Sequence, residues 1–156
     1  MPSNENTKSQ IKSRQRVARH GEVFTNPREV NAMLDLVRDE SFRLDSRFLE
    51  PACGDGNFLI EILRRKLSLL KDIKSPTEWE FQSLIAVGSC YGIELLEDNC
   101  EACRERLFGE VVGRMGRMGD LGDYGKSLRY MLRKNIVCGD ALTYRTAEGR
   151  PITFCE

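Results

Sequence analysis

Residues Arg47 to Leu59, RFLEPACGDGNFL, restrict the fold more than any other stretch of the chain. Phe48 and Leu49 supply the apolar residues of a short buried strand, and Glu50 stands at its carboxyl end. Pro51 has no N–H and ends ladder pairing there. Gly54 and Gly56 lack a Cβ, so the backbone can turn sharply and a ligand can approach it closely. Beyond the turn, Phe58, Leu59, Ile62, Leu63, Leu67 and Leu70 recur at helical spacing. Strand, glycine turn and helix together form the unit with which an open α/β sheet builds a small-molecule site at the carboxyl ends of its strands.

The flanking segments extend the same pattern. Asn26 is a good N-cap, Pro27 suits the first helical position and Glu29 completes an acidic cap pair; Val30, Met33, Leu34 and Val37 then share one helical face. A second start, Ser75-Pro76-Thr77-Glu78, opens a crossover helix with Trp79, Leu84 and Ile85 on its buried side. Cys90, Tyr91 and Ile93 make a second strand that ends at Glu94. A carboxylate in that place can accept hydrogen bonds from both ribose hydroxyls of an adenosine. A helix follows from about Glu97 to Met115, with Cys100, Cys103, Leu107 and Val111 on its inner face. Gly113, Gly116, Gly119, Gly122 and Gly125 recur every third residue without proline, which is not a collagen pattern and predicts a mobile loop. Leu128, Met131 and Leu132 predict a short helix, Ile136 to Cys138 a third strand leading to Gly139 and Asp140, and Ile152 to Phe154 a fourth.

A chain of 156 residues suits one domain. Lys plus Arg and Asp plus Glu are 24 each, so the overall field singles out no partner. No apolar run approaches the roughly 18 residues of a membrane helix, and the amino terminus has no signal core, so a cytoplasmic location is expected. The first nineteen residues are polar and basic, read as a flexible tail or, alternatively, an arm for nucleic-acid phosphates. The six cysteines are expected to be reduced and mostly buried. Cys100 and Cys103 form a C-x-x-C pair, but it lies in a helical pattern, no second pair follows and His20 is the only histidine, so no metal site is expected.

The stretch Glu50, Pro51, Ala52, Cys53, Gly54, Asp55, Gly56, Asn57, Phe58 resembles motif I of S-adenosylmethionine-dependent methyltransferases, in the form (D/E)-P-A-C-G-x-G-x-F typical of adenine-specific DNA methyltransferases such as type I restriction-modification subunits. The segment from Gly21 to Val30 resembles motif X, with Asn26 as a one-residue shift; the resemblance places Phe24 and Thr25 against the methionine part of the cofactor. Tyr91-Gly92-Ile93-Glu94 is similar to motif II, Y-G-x-E. Gly139-Asp140-Ala141-Leu142 is similar to motif III, which implies that Asp140 accepts from the adenine amine with Ala141 and Leu142 against the ring. The implied cofactor site is thus Phe24, Thr25, Glu50 to Gly54, Gly56, Phe58, Glu94 and Asp140 to Leu142, holding S-adenosyl-L-methionine.

In this family the fourth strand ends in (D/N/S)-P-P-(Y/F), whose carbonyl and side chain accept from the target amine while the aromatic stacks on a flipped base. Here Phe154-Cys155-Glu156 stands at that place. The resemblance therefore covers about residues 20–145, and no catalytic residue is assigned. It implies a Rossmann-like class I methyltransferase domain over 20–156, mostly parallel, with helices on both faces and cut short after the fourth strand. The implied partners are DNA, through a missing or partner-supplied recognition region, and a completing methyltransferase or specificity subunit. Two alternatives stand beside it: a non-catalytic S-adenosylmethionine-binding remnant or regulatory protein, and a fragment of an RNA or protein-glutamine methyltransferase.

Overall fold

The computed structural model describes residues 25–116 and 121–154. Phe24, Cys155, Glu156 and the basic tail lie outside the described residues. Helix α1 (Pro27–Asp35) starts where its cap predicts, with the Arg28 N–H donating to Asn26 Oδ1 at 2.9 Å. Its inner face is narrower than the sequence suggests. Val30 and Leu34 are buried, but the helix ends at Asp35, so Val37 falls beyond it and, with Met33, stays about half exposed. A single turn, α2 (Arg38–Ser41), leads to β1 (Phe48–Glu50) and then to α3 (Asn57–Ser68), whose Leu59, Ile62, Leu63 and Leu67 are buried.

Helix α4 (Pro76–Gly88) is capped by Ser75, whose Oγ accepts from the Glu78 N–H at 3.3 Å. Its fully buried residues are Ser83, Ala86 and Val87, while Trp79, Leu84 and Ile85 are only half-buried. Strand β2 (Cys90–Glu94) and helix α5 (Glu97–Met115) match the reading closely: Cys100, Cys103, Leu107 and Val111 are all fully buried. The glycine series is not one loop. Gly113 lies inside α5, Gly116 closes it at φ +67°, and Gly122 and Gly125 belong to α6 (Gly122–Asn135); Gly119 lies outside the described residues. Each helical glycine costs about 1 kcal/mol against alanine. Fully burying leucines of these helices, such as Leu107 and Leu128, returns about 1.5–3 kcal/mol each, which is enough to outweigh it.

Strand β3 (Ile136–Asp140) completes a parallel trio, in which Glu50 pairs with Gly92 and Glu94 with Cys138. The fourth strand is not the one expected. Arg145–Thr146 forms β4, antiparallel to β3, and Arg145 bridges back to Pro151 around a turn closed by Gly149 at φ +76°. Residues 152–154 carry no strand. Pro151 can donate nothing to a ladder, whereas a local hairpin closes over a few residues at small entropic cost. The result is an α/β fold with a four-stranded open mixed sheet, order β1-β2-β3-β4, and six helices among the described residues.

Helices α3 and α5 contact β2 and build the main core between Leu59, Leu63, Leu107, Val111 and Ile136. Helices on both faces were expected, yet at the β1 end the other face stays open. There Leu49, predicted to be buried, is 48% exposed, and the Tyr91 ring meets Phe154 edge-on at 5.1 Å. The five described cysteines are free, and all but Cys138 are buried. Among the described residues no helix is long and apolar enough to cross a membrane.

Candidate functional site

Because β1, β2 and β3 are parallel, their terminal carboxylates Glu50, Glu94 and Asp140 come to the same edge of the sheet. The turn after β1 sits at that edge. Cys53 N–H donates to Ile93 O at 3.0 Å and Gly56 N–H to Cys53 O at 2.8 Å, which locks the turn beside β2. Gly54 and Gly56 have φ of +54° and +95°, the left-handed region where glycine alone is unstrained. Gly56 is also the N-cap of α3 and offers no side-chain acceptor, so the first N–H groups of that helix have no capping side chain.

Glu94 ties the turn to the strand. Its Oε2 accepts from Gly54 N–H at 2.9 Å, and its Oε1 from Leu96 N–H at 2.9 Å and Asn99 Nδ2 at 3.4 Å. An ionised carboxylate has about four acceptor positions, so with these three donors room for about one hydroxyl donor remains. Asp140 makes a local turn of its own: Oδ1 accepts from Leu142 N–H at 2.8 Å and Oδ2 from Thr143 Oγ1 at 3.1 Å. Glu50 is half-buried, and burial raises its carboxyl above the ordinary carboxylate range, offset in part by the Ala52 N–H at 3.4 Å.

The remaining predicted residues divide by what they can offer. Pro51 and Ala52 are exposed on the turn, and Leu142 is 94% exposed beside Asp140 with Ala141 half-buried behind it. Thr25 is brought to the turn, since its carbonyl accepts from Asn57 Nδ2 at 3.4 Å. Cys53 and Phe58 face the other way. The Cys53 thiol lies under Gly92, where an added Cβ would come within 2.8 Å of it, and Phe58 packs against the core. Cys53 can therefore serve a ligand only through its backbone.

Sequence reading missed Arg106. From α5 its Nη1 donates to Asp55 O at 2.8 Å and to Asn57 Oδ1 at 3.0 Å, and lies 2.9 Å from Asp55 Oδ1 as an ion pair. An arginine on the outer side of an amphipathic helix gives no sequence signal that it reaches back to a distant turn. A hollow of 490 Å³ lined by Arg47, Phe81, Gly88, Ser89 and Met131 lies at the amino ends of β1 and β2, the end of the sheet away from these carboxylates.

No family model, curated protein or solved structure matches the chain. The functional reading therefore rests on the residues and their geometry.

Proposed function

We propose that the carboxyl edge of β1, β2 and β3 binds S-adenosyl-L-methionine, in a Rossmann-like class I methyltransferase domain that serves methyl transfer to the exocyclic amine of adenine in DNA. The observation that carries this reading is the Glu94 carboxylate, hydrogen-bonded to the Gly54 N–H and standing at the same edge as Asp140. Three segments far apart in the chain, each resembling one cofactor motif, supply these three groups. The two parallel pairings and the helices between their strands support the Rossmann-like part of the proposal.

In this reading the bend at Gly54–Gly56 carries the methionine part, with Thr25 alongside. Glu94 takes one ribose hydroxyl on its remaining acceptor position, Asp140 accepts from the adenine amine, and Leu142 offers its exposed side chain to the ring. Three acids at one rim favour a cation over an anion, as a sulfonium with a free α-amine requires. The cofactor supplies the electrophilic methyl group when bound; these residues bind it and fix its direction. The acceptor amine would meet groups from a completing chain, and a cytoplasmic setting with DNA as partner belongs to the same proposal.

Calorimetric titration with S-adenosyl-L-methionine tests the site. Wild type is expected to give saturable heat. Glu94→Gln keeps the shape but removes charged hydrogen bonds of about 1.5–3 kcal/mol, and so should weaken binding roughly ten- to a hundredfold. Wild type without heat overturns the reading. Methyl transfer to DNA on adding a completing chain separates the enzyme from a binder.

A further inference from the structure

The C-x-x-C pair does not stay together in the fold. Cys103 turns under the glycine bend, where its Sγ would lie 2.7 Å from a Cβ on Gly56. Cys100 instead meets Cys138 of β3. The Cys100 thiol, the Cys138 thiol and a Glu97 carboxylate oxygen all lie within 4.8 Å of one another. The topology explains the meeting. Glu97 and Cys100 are three apart at the start of α5 and share a face. Cys138 pairs with Glu94 in the β2–β3 register, directly beside the point where α5 begins.

We propose that Glu97, Cys100 and Cys138 form a site for a thiophilic divalent cation, zinc foremost, with one coordination position open to solvent. Tetrahedral zinc with Zn–S of about 2.3 Å sets its ligand atoms roughly 3.8 Å apart, so the observed spread closes onto an ion with small side-chain movements. Two thiolates select zinc, cobalt or cadmium over magnesium or calcium. Cys100 is a fully buried floor, while Cys138 is half-buried and Glu97 exposed, which gives the ion an entry path. Two thiolates and a carboxylate around a dication leave one net negative charge. Arg104 is in place to balance it: its Nη1 lies 2.9 Å from Glu97 Oε1, and Nε and Nη2 are held by Ile136 O at 3.2 and 2.7 Å. A carboxylate oxygen of Glu97 stays within reach of both thiols. The site does not depend on the methyltransferase reading.

Titrating the reduced full chain with Co²⁺ alone tests it. The expected result is about one ion per chain, with thiolate-to-cobalt charge-transfer absorption, the visible bands of a four-coordinate ion, and displacement by Zn²⁺. Cys138→Ser should remove about half of the charge-transfer intensity. Glu97→Gln should keep that intensity but weaken binding about tenfold or more. Both positions reach solvent, so these variants should keep the wild-type circular dichroism and carry the decision even if Cys100→Ser fails to fold. Cys103→Ala should bind like wild type. Absence of thiolate bands in wild type overturns the site. So does loss of the bands in a folded Cys103→Ala with retention in Cys138→Ser, which would return the metal to the C-x-x-C pair.

Discussion

Gly56 answers two demands at one position. Its φ of +95° disfavours any residue with a Cβ, and that Cβ would also sit 2.7 Å from Cys103 Sγ. Forcing alanine into this conformation costs about 1–3 kcal/mol, and the overpacking adds a similar amount. Gly56→Ala is therefore expected to lower the urea midpoint strongly, and part of the loss should return when Cys103→Ala empties the contact. A double-mutant cycle over the four proteins should show coupling of roughly 1 kcal/mol; coupling near zero would assign the whole cost to the backbone. The residue scale also shows where sequence reading stops. A glycine next to a strand end announces a turn by itself, and a glutamate that ends a strand announces an acceptor. Their partners, Cys103 for one and the Gly54 N–H for the other, come from distant segments, and nothing in local spacing names them.

At the scale of elements, caps were the most legible signals, because a cap is a contact between residues two or three apart. Asn26 and Ser75 both do what their spacing predicts. Buried charge was not legible. Arg65 on α3 is only 8% exposed, and donates to Ser41 Oγ at 3.1 Å, to Asn31 O and Oδ1 at 3.0 Å each, and to Asp35 Oδ1 at 2.8 Å. This one fork fastens α1 and α2 to α3. Lysine has a single ammonium and cannot span those acceptors, so Arg65→Lys should cost about 1–3 kcal/mol in chemical denaturation. Asp35 is half exposed, so the salt bridge itself contributes little, and Asp35→Asn should cost under about 1 kcal/mol. Equal losses from the two variants would refute the fork as the source. The hairpin at β4 was missed for a related reason: an apolar run such as Ile152 to Phe154 reads as a strand whether or not a partner is free to pair with it.

Over the whole molecule, the three parallel strands were readable from their apolar cores and terminal acids, whereas the convergence of cysteines from α5, β3 and the β1 turn depends on topology. Buried thiols also shape the alkaline limit of stability. Burial pushes the Cys90 thiol up to about 11 from an ordinary 9.0. Below 9 both states keep the proton and nothing is lost; between about 9 and 11 the unfolded chain releases it and the folded chain does not. Stability should thus fall through that window by up to about 1.4 kcal/mol per pH unit from this group. Lys66 acts in the opposite sense. It is fully buried, and donates to Leu44 O at 3.1 Å and to Ser46 O and Ser89 Oγ. Burial holds its ammonium below the ordinary 10.5, so its contribution grows as pH climbs from the lowered value toward 10.5. Urea midpoints measured in reductant from about pH 8.5 to 11 should decline less steeply for Cys90→Ala than for wild type; parallel curves would remove Cys90 as a cause.

The Arg106 clamp has a further consequence. It binds the carbonyl of Asp55 and the amide of Asn57 to the middle of a helix of 19 residues. Whatever settles on the bend stiffens a rod as well as a loop. Amide protons along that rod, several turns away from any bound molecule, should exchange more slowly when the bend is occupied, and Arg106→Ala should cut the rod loose from the signal.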